Sequence, residues 1–294
     1  MKYSTRKKLF GFCLVLPWII GFVVFLLYPL SQTILYSFSN VTITPQGTET
    51  APVGFKNYTD VLFTDPDFTL GIPTFLRQMV FMVPMIVVFS LLFALLLNSH
   101  IRGQRIYRAI FFLPMVVAPA AVAMVWKWIF NSQYGIINSV LGANIGWLTD
   151  SKLVLITCAV VQVWSNIGYD AVLLLAGLQN VSATLYEAAN LDGASKVKQF
   201  FHITLPMVSP TLFVVMIMRL MSSLKVFDLI YMMVDDANPA LNDAQSLMSL
   251  FYRESFIAGD KGYASAIVVW TVLLIGIVTI FQFIGQKKWV NYEV

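Results

Sequence analysis

Apolar residues dominate six stretches of the chain, roughly 9–30, 75–97, 110–131, 153–176, 208–233 and 264–285. Each matches the 20 or so helical residues that cross about 30 Å of hydrocarbon. The pattern predicts an all-α membrane protein with six transmembrane helices. Pro17, Pro29, Pro84, Pro114, Pro119 and Pro210 fall inside or at the edges of these stretches, where a membrane helix tolerates proline better than a soluble one. No internal repeat or low-complexity segment is visible. Between the fourth and fifth stretches the chain turns polar in "YEAANLDGASKVKQFFHITLP", residues 186–206.

Composition narrows the solvent. Hydrophobic residues make up 58% of the 294 and charged residues 12%, against about 45–50% and 25% in soluble domains. One soluble core could not hide that apolar surface, so lipid must cover it. Cys13 and Cys158 lie in apolar runs and His100 and His202 stand alone, so neither a disulfide framework nor a metal-ligand spacing is present. The net charge of +4 is not gathered into a basic face, which argues against nucleic acid. The basic opening "MKYSTRKKLF" leads into an apolar run longer than the 7–15 residues of a signal peptide, without a small-residue cleavage site. It reads as a retained first span.

Lys and Arg set the orientation. Lys2, Arg6, Lys7, Lys8, Arg102, Arg105, Arg108, Lys196, Lys198, Lys287 and Lys288 fall in the termini and the second and fourth loops. The longer first, third and fifth loops with their flanks hold Lys56, Arg77, Lys127, Lys152, Arg253 and Lys261. Both termini and residues 177–207 are therefore expected in the cytoplasm. Trp126, Trp128 and Trp147 then fall near the outer boundary, with Lys127 snorkelling to the headgroups. Arg102, Arg105 and Arg108 read as topology determinants. The external loops at about 31–74 and 234–263 are long enough for recognition, and Leu247, Leu250 and Phe251 predict a short outer helix.

The 186–206 segment has its own logic. "SATLYEAANL" favours helix, with Ser182 able to cap its start. Asp192-Gly193 breaks it, since glycine takes the left-handed conformation that ends helices. In "ASKVKQFFHI", Val197, Phe200 and Phe201 recur at helical spacing, and Leu205-Pro206 restarts the chain toward the next span. The product is a helix–turn–helix knob suited to docking a partner.

Glu187-Ala188-Ala189, then Asp192-Gly193-Ala194, then Ile203 and Leu205-Pro206 resemble the EAA loop of binding-protein-dependent ABC importer permeases. "LYPLSQTILYSFSN", "FKNYTDVL", "FFLPMVVAPAAVAMVWKWIFNSQYGIINSVL" and "GYASAIVVW" are similar to the carbohydrate branch, the larger-subunit type of maltose and glycerol-3-phosphate permeases. Unlike the maltose subunit, this chain lacks extra N-terminal spans and a large external domain.

The resemblance implies the type I importer permease fold in a bacterial or archaeal plasma membrane. It implies a first helix and external loop over 1–74, a permease domain over 75–285 with its loop at 182–206, and a tail over 286–294. It further implies a second permease, a cytoplasmic ATPase dimer that binds ATP and Mg, and an extracytoplasmic sugar-binding protein. Glu187, Ala188, Ala189, Asp192, Gly193, Phe200, Leu205 and Pro206 would dock on the ATPase, with Glu187 facing a basic residue. The chain itself would be no enzyme and hold no cofactor, and no G-x-x-x-x-G-K-[ST] loop occurs in it.

Polar residues inside spans need a reason, because an ionisable group at mid-membrane costs roughly 2.5–3.5 kcal/mol on insertion scales. Gln162, Asn166 and Asp170 lie at i, i+4, i+8 on one helical face, and Arg219, Ser222 and Ser223 share another. Depth arithmetic makes Arg219–Asp170 a candidate ion pair. One reading is a cavity that binds sugar hydroxyls, with Tyr169 or Phe227 offering an aromatic face. The other is interhelical glue or a gate that never touches substrate. The resemblance places sugar contacts on the spans flanking the EAA loop, nearest Gln162, Asn166, Arg219 and Ser223. Lys225–Asp228 reads as a local salt bridge near the outer surface. The alternatives are an ABC permease for another solute class and an ion-driven secondary carrier, the latter disfavoured by the absence of a repeat.

Overall fold

A computed structural model describes residues 2–44, 47–99, 103–223, 226–234, 238, 240 and 246–292. Arg102 and Lys225 lie outside the described residues, as do the side chains of Arg108 and Phe227. The described chain is almost wholly helical. Its long helices follow the apolar stretches, but their breaks do not.

Two compact units form, Met1–Thr69 with Leu250–Val272, and Leu70–Ser249 with Leu273–Val294. In the first, α1 (Lys2–Phe22) runs through a π-helical turn at Val23–Leu27 into α2 (Tyr28–Ser37). Its apolar stretch from Phe10 to Ser37 has none of its most hydropathic window buried, as expected of a helix solvated by lipid. An unexpected antiparallel hairpin follows, β1 (Ser39–Thr44) and β2 (Gly47–Pro52). Its β-branched Val41, Thr42, Ile43 and Thr44 suit a pleated strand, yet the alternation is too polar to stand out beside the membrane spans.

Polar ties organise the rest of this unit. In α3 (Lys56–Phe63), Asn57 Nδ2 donates to the Ser37 and Ser39 carbonyls at 3.1 and 2.9 Å. Asp65 accepts from the Asp67 N–H at the start of α4 (Pro66–Asn98) and from the Tyr263 hydroxyl at 2.7 Å. Asp67 pairs with Arg253 at 2.7 Å. Burial opposes the Arg253 charge, but Asp67 and Glu254 outweigh it and hold the guanidinium above its ordinary value.

The second unit contains α5 (Gln104–Val116), α6 (Pro119–Ile129), α7 (Ile136–Leu141) and α8 (Val154–Gln179). After α8 come α9 (Ala183–Leu191), α10 (Lys196–Gln199), α11 (Leu205–Ser222) and α12 (Val226–Met233). The short helix expected near Leu247 is α13 (Leu247–Tyr252), and the last span is α14 (Lys261–Gln286).

Among the described residues, five helices are long and apolar enough to cross a membrane, or six if α5 and α6 count as one broken span. The third stretch was expected as a single helix over 110–131. It bends by 107° between α5 and α6, where Val117 and Ala118 are extended. Pro119 disfavours helical geometry at Ala118 and lacks the N–H that would continue α5. The fifth stretch was likewise expected to run from 208 to 233; among the described residues it gives α11, ending at Ser222, and α12, Val226–Met233.

Small residues let helices approach. A Cβ on Gly168 of α8 would strike the Phe111 carbonyl of α5, and one on Gly177 would strike Thr211 of α11, as is typical where membrane helices pack closely. The core around α8 divides into one cluster with Val122, Val161 and Ile230 and another with Ile86, Leu174 and Val208.

Candidate functional site: a polar cavity and a polar loop joined by one helix

On α8 the i, i+4 spacing stacks Gln162, Asn166 and Asp170 along one face, and α11 brings Arg219 against it. Arg219 Nε lies 2.9 Å from Asp170 Oδ2, close enough for an ion pair although out of line for a hydrogen bond. The side chains are 7% and 0% exposed. Arg219 also donates to Asn166 Oδ1, while Asn166 Nδ2 donates to the Gln162 carbonyl at 2.6 Å. The guanidinium carbon sits 5.8 Å from the Tyr169 ring centroid, within cation–π reach. The expected Arg219–Asp170 pair is therefore present.

Beside this chain of contacts lies a cavity of about 440 Å³, within the roughly 300–1,000 Å³ range of small-molecule sites. Gln162, Asn166, Tyr169, Arg219, Ser222 and Asp228 supply its polar wall. The α5–α6 break adds Pro114, Val117 and Pro119 to its lining. Broken helices are tolerated at membrane depth where they line a cavity.

The sequence-predicted residues divide by availability. Asn166, Arg219 and Asp170 are spent on one another, and Asp170 does not line the cavity. Ser223 donates to the Leu220 carbonyl at 2.5 Å and faces a smaller cleft with Met82 and Ile86. By contrast, the Gln162 amide, the Tyr169 and Ser222 hydroxyls and the Asp228 carboxylate line the cavity with no side-chain partner among the described residues. Sequence reasoning missed Ser165, whose hydroxyl bonds the Val161 carbonyl at 2.8 Å, and it assigned Asp228 elsewhere. Ser165 lies three residues from Gln162, so the helical period could have found it. The expected partner of Asp228, Lys225, lies outside the described residues.

The loop after α8 is built as tightly. In α9, Glu187 and Ala188 are exposed and Ala189 half-buried, and Leu191 is 90% exposed. Gly193 has φ of +70°. The Gly193 N–H donates to the Asn190 carbonyl and the Ala194 N–H to that of Ala189, closing α9 with a Schellman motif. Ser182 sits at the head of α9, but its hydroxyl bonds Thr184 at 2.7 Å instead of capping the helix. Two ties absent from the sequence reading lock the arms together: Gln199 to Asn190 at 2.7 Å, and Tyr186 to Thr204 at 2.8 Å.

The second arm is not a separate helix. From Lys196 to Ser222 the chain is helical for 27 residues, through a π-helical turn at Phe200–Thr204. Pro206 follows that turn, whose wider geometry accommodates the ring that would otherwise meet the carbonyl four residues back. Leu205 and Pro206 thus continue a helix where a restart was expected. Val197 and Phe201 stand exposed at one end, and Arg219 lies roughly 33 Å away at 1.5 Å per residue.

Among the described residues no group of His, Cys, Asp or Glu is placed to hold a metal ion. The family described as "Binding-protein-dependent transport system inner membrane component" matches residues 67–290. The chain is 32% identical over 293 residues to the trehalose/maltose transport system permease protein MalF of Thermococcus litoralis, covering 98% of this chain and 97% of that protein. It is also 32% identical to the sn-glycerol-3-phosphate transport system permease protein UgpA of Pectobacterium atrosepticum, with the same coverage. A chain of a bacterial ABC transporter involved in the import of the acidic polysaccharide alginate shares the fold, with a TM-score of 0.82 and 20% identity over 98% of this chain and 99% of that one. This multi-pass chain belongs to the binding-protein-dependent transport system inner membrane components.

Proposed function

We propose that the chain is one of two membrane subunits of an ATP-driven ABC importer, forming with its partner the path of a sugar delivered by an external binding protein. Relatives named for trehalose/maltose and for multiple sugar-binding transport support the cargo class. A structural neighbour solved with an alginate pentasaccharide-bound periplasmic protein supports the delivery route. ATP and Mg would sit on separate ATPase subunits. Both termini and the 182–206 loop would face the cytoplasm.

The observation that carries this reading is the unbroken helix from Lys196 to Ser222. One end belongs to a rigid knob of exposed Glu187, Ala188, Leu191, Val197 and Phe201, and the other holds Arg219 at the cavity wall. An ATPase groove gripping Ala188, Ala189, Asp192, Gly193 and Phe200 would move the cavity wall with it, because a helix transmits displacement along its axis. Glu187 would meet a basic residue of the groove. Gln162, Tyr169 and Ser222 would hydrogen-bond sugar hydroxyls, with Phe227 a further candidate. Asn166, Asp170 and Arg219 would hold that wall in shape.

The reading is tested in the reconstituted transporter. Glu187→Lys and Gly193→Pro are expected to abolish ATPase association, or to uncouple hydrolysis from uptake, while the permease still inserts. Wild-type uptake in both variants would end the docking assignment.

A further inference from the structure

Among the described residues, Asp228 is the cavity residue whose charge has no partner. It stands in the first turn of α12, exposed, on the wall of the 440 Å³ cavity. No hydrogen bond or ion pair to it is found among the described residues. The other charged lining residue among those described is Arg219, and its positive charge is already matched by Asp170 at 2.9 Å from behind the wall. Arg219 is further committed to Asn166 and to the Tyr169 face.

Of the charges described at the cavity, the Arg219–Asp170 pair is neutral and Asp228 adds one negative charge. Inside low-dielectric walls a single charge is felt strongly: two like charges several ångströms apart repel by a few kcal/mol at an effective dielectric of about 20. The same carboxylate accepts strong, charge-assisted hydrogen bonds from hydroxyl groups. The open Gln162 amide and the Tyr169 and Ser222 hydroxyls complete a wall of donors and acceptors with no free cation among the described residues.

Building on the transport reading above, we infer that Asp228 makes this cavity a charge filter: it binds neutral, hydroxyl-rich solutes through adjacent hydroxyls and repels phosphorylated or carboxylated ones. The chain would thereby part company with relatives named for sn-glycerol-3-phosphate and with the fold neighbour that imports an acidic polysaccharide. Arg219, held by Asp170 and Asn166, would be a positioning residue.

The test reads the cavity's charge directly. Met232 lines the same cavity one helical turn after Asp228 and is 40% exposed. A Met232→Cys reporter is placed in a Cys13→Ser, Cys158→Ala background, in the assembled transporter with its second permease and ATPases in lipid nanodiscs. Its modification by a cationic methanethiosulfonate (ethyltrimethylammonium) is compared with that by an anionic one (ethylsulfonate), normalised to a free thiol. The expected cation preference is about tenfold or more, collapsing toward unity in Asp228→Asn and persisting in Asp228→Glu.

A preference unchanged by Asp228→Asn, faster reaction of the anion, or no reaction with either reagent would overturn the proposal. A second readout identifies the solute that the cognate binding protein carries, by mass spectrometry: a neutral sugar supports the filter and an anionic solute overturns it. Because thiol reaction needs no turnover, a failed filter is distinguishable from a failed importer, which the ATPase-docking variants report separately.

Discussion

Arg219 is stable at the cavity wall because Asp170 sits within 2.9 Å of it and Asn166 Oδ1 accepts a hydrogen bond from it. Removing one member of a buried pair leaves an uncompensated charge and costs about 3–5 kcal/mol, whereas replacing both with apolar groups is often neutral. Arg219→Met is therefore expected to lower the thermal midpoint of the detergent-purified protein sharply. Adding Asp170→Leu should restore most of the loss, as followed by size-exclusion fluorescence after heating. If the double variant is no better than the single one, the pair does not set the stability of this wall.

Asn166→Leu should impair transport while leaving assembly with the ATPase intact, because it cuts the link between Arg219 and the Gln162 backbone. Wild-type uptake would mean that the link serves packing alone. At Gly193, where φ is +70°, alanine would cost roughly 1–2 kcal/mol in a left-handed conformation. Gly193→Ala is thus expected to weaken ATPase association measurably without abolishing insertion, read by co-purification of the two subunits.

At the scale of elements, the rod from Lys196 to Ser222 and the broken α5–α6 span do different jobs. The rod has to be stiff. Inserting Gly-Gly between Leu212 and Phe213 would rotate and soften the helix, each glycine costing about 1 kcal/mol relative to alanine. ATP hydrolysis should then continue while uptake falls by an order of magnitude or more; coupled uptake at wild-type rates would show that force reaches the cavity by another route. The knob relies on Gln199, 3% exposed and bonded to both Asn190 and the Ala194 carbonyl. Asn190 and Gln199 lie nine residues apart on opposite sides of a turn, so no helical period flags them. Pro119 did signal the α5–α6 break, but membrane helices so often absorb prolines as kinks that its effect could not be told from sequence.

For the whole molecule, the energy source is the decisive property. Uptake through the assembled transporter should collapse when ATP is depleted and tolerate a proton ionophore while ATP is held constant. The opposite response would favour an ion-driven carrier. The family match over residues 67–290 agrees with what the spacing from Glu187 to Pro206 implies, since that motif combines several residue types at fixed intervals. The hairpin at 39–52 went unseen because two strands stabilise one another only through pairing, which a linear pattern of mostly polar residues does not reveal.

The sequence by itself determined the solvent, the long apolar helices and the glycine-ended turn after α9, because hydrophobicity over about 20 residues and glycine at a left-handed turn are local requirements. It also made the Arg219–Asp170 pair legible, since both residues had to find a partner at membrane depth. Only the tertiary structure decided where the spans break, that Lys196–Ser222 is one rod, and which polar groups remain open to a solute. Those outcomes depend on what α8, α11 and α12 bring together, and a buried group's availability is set by its neighbours in space.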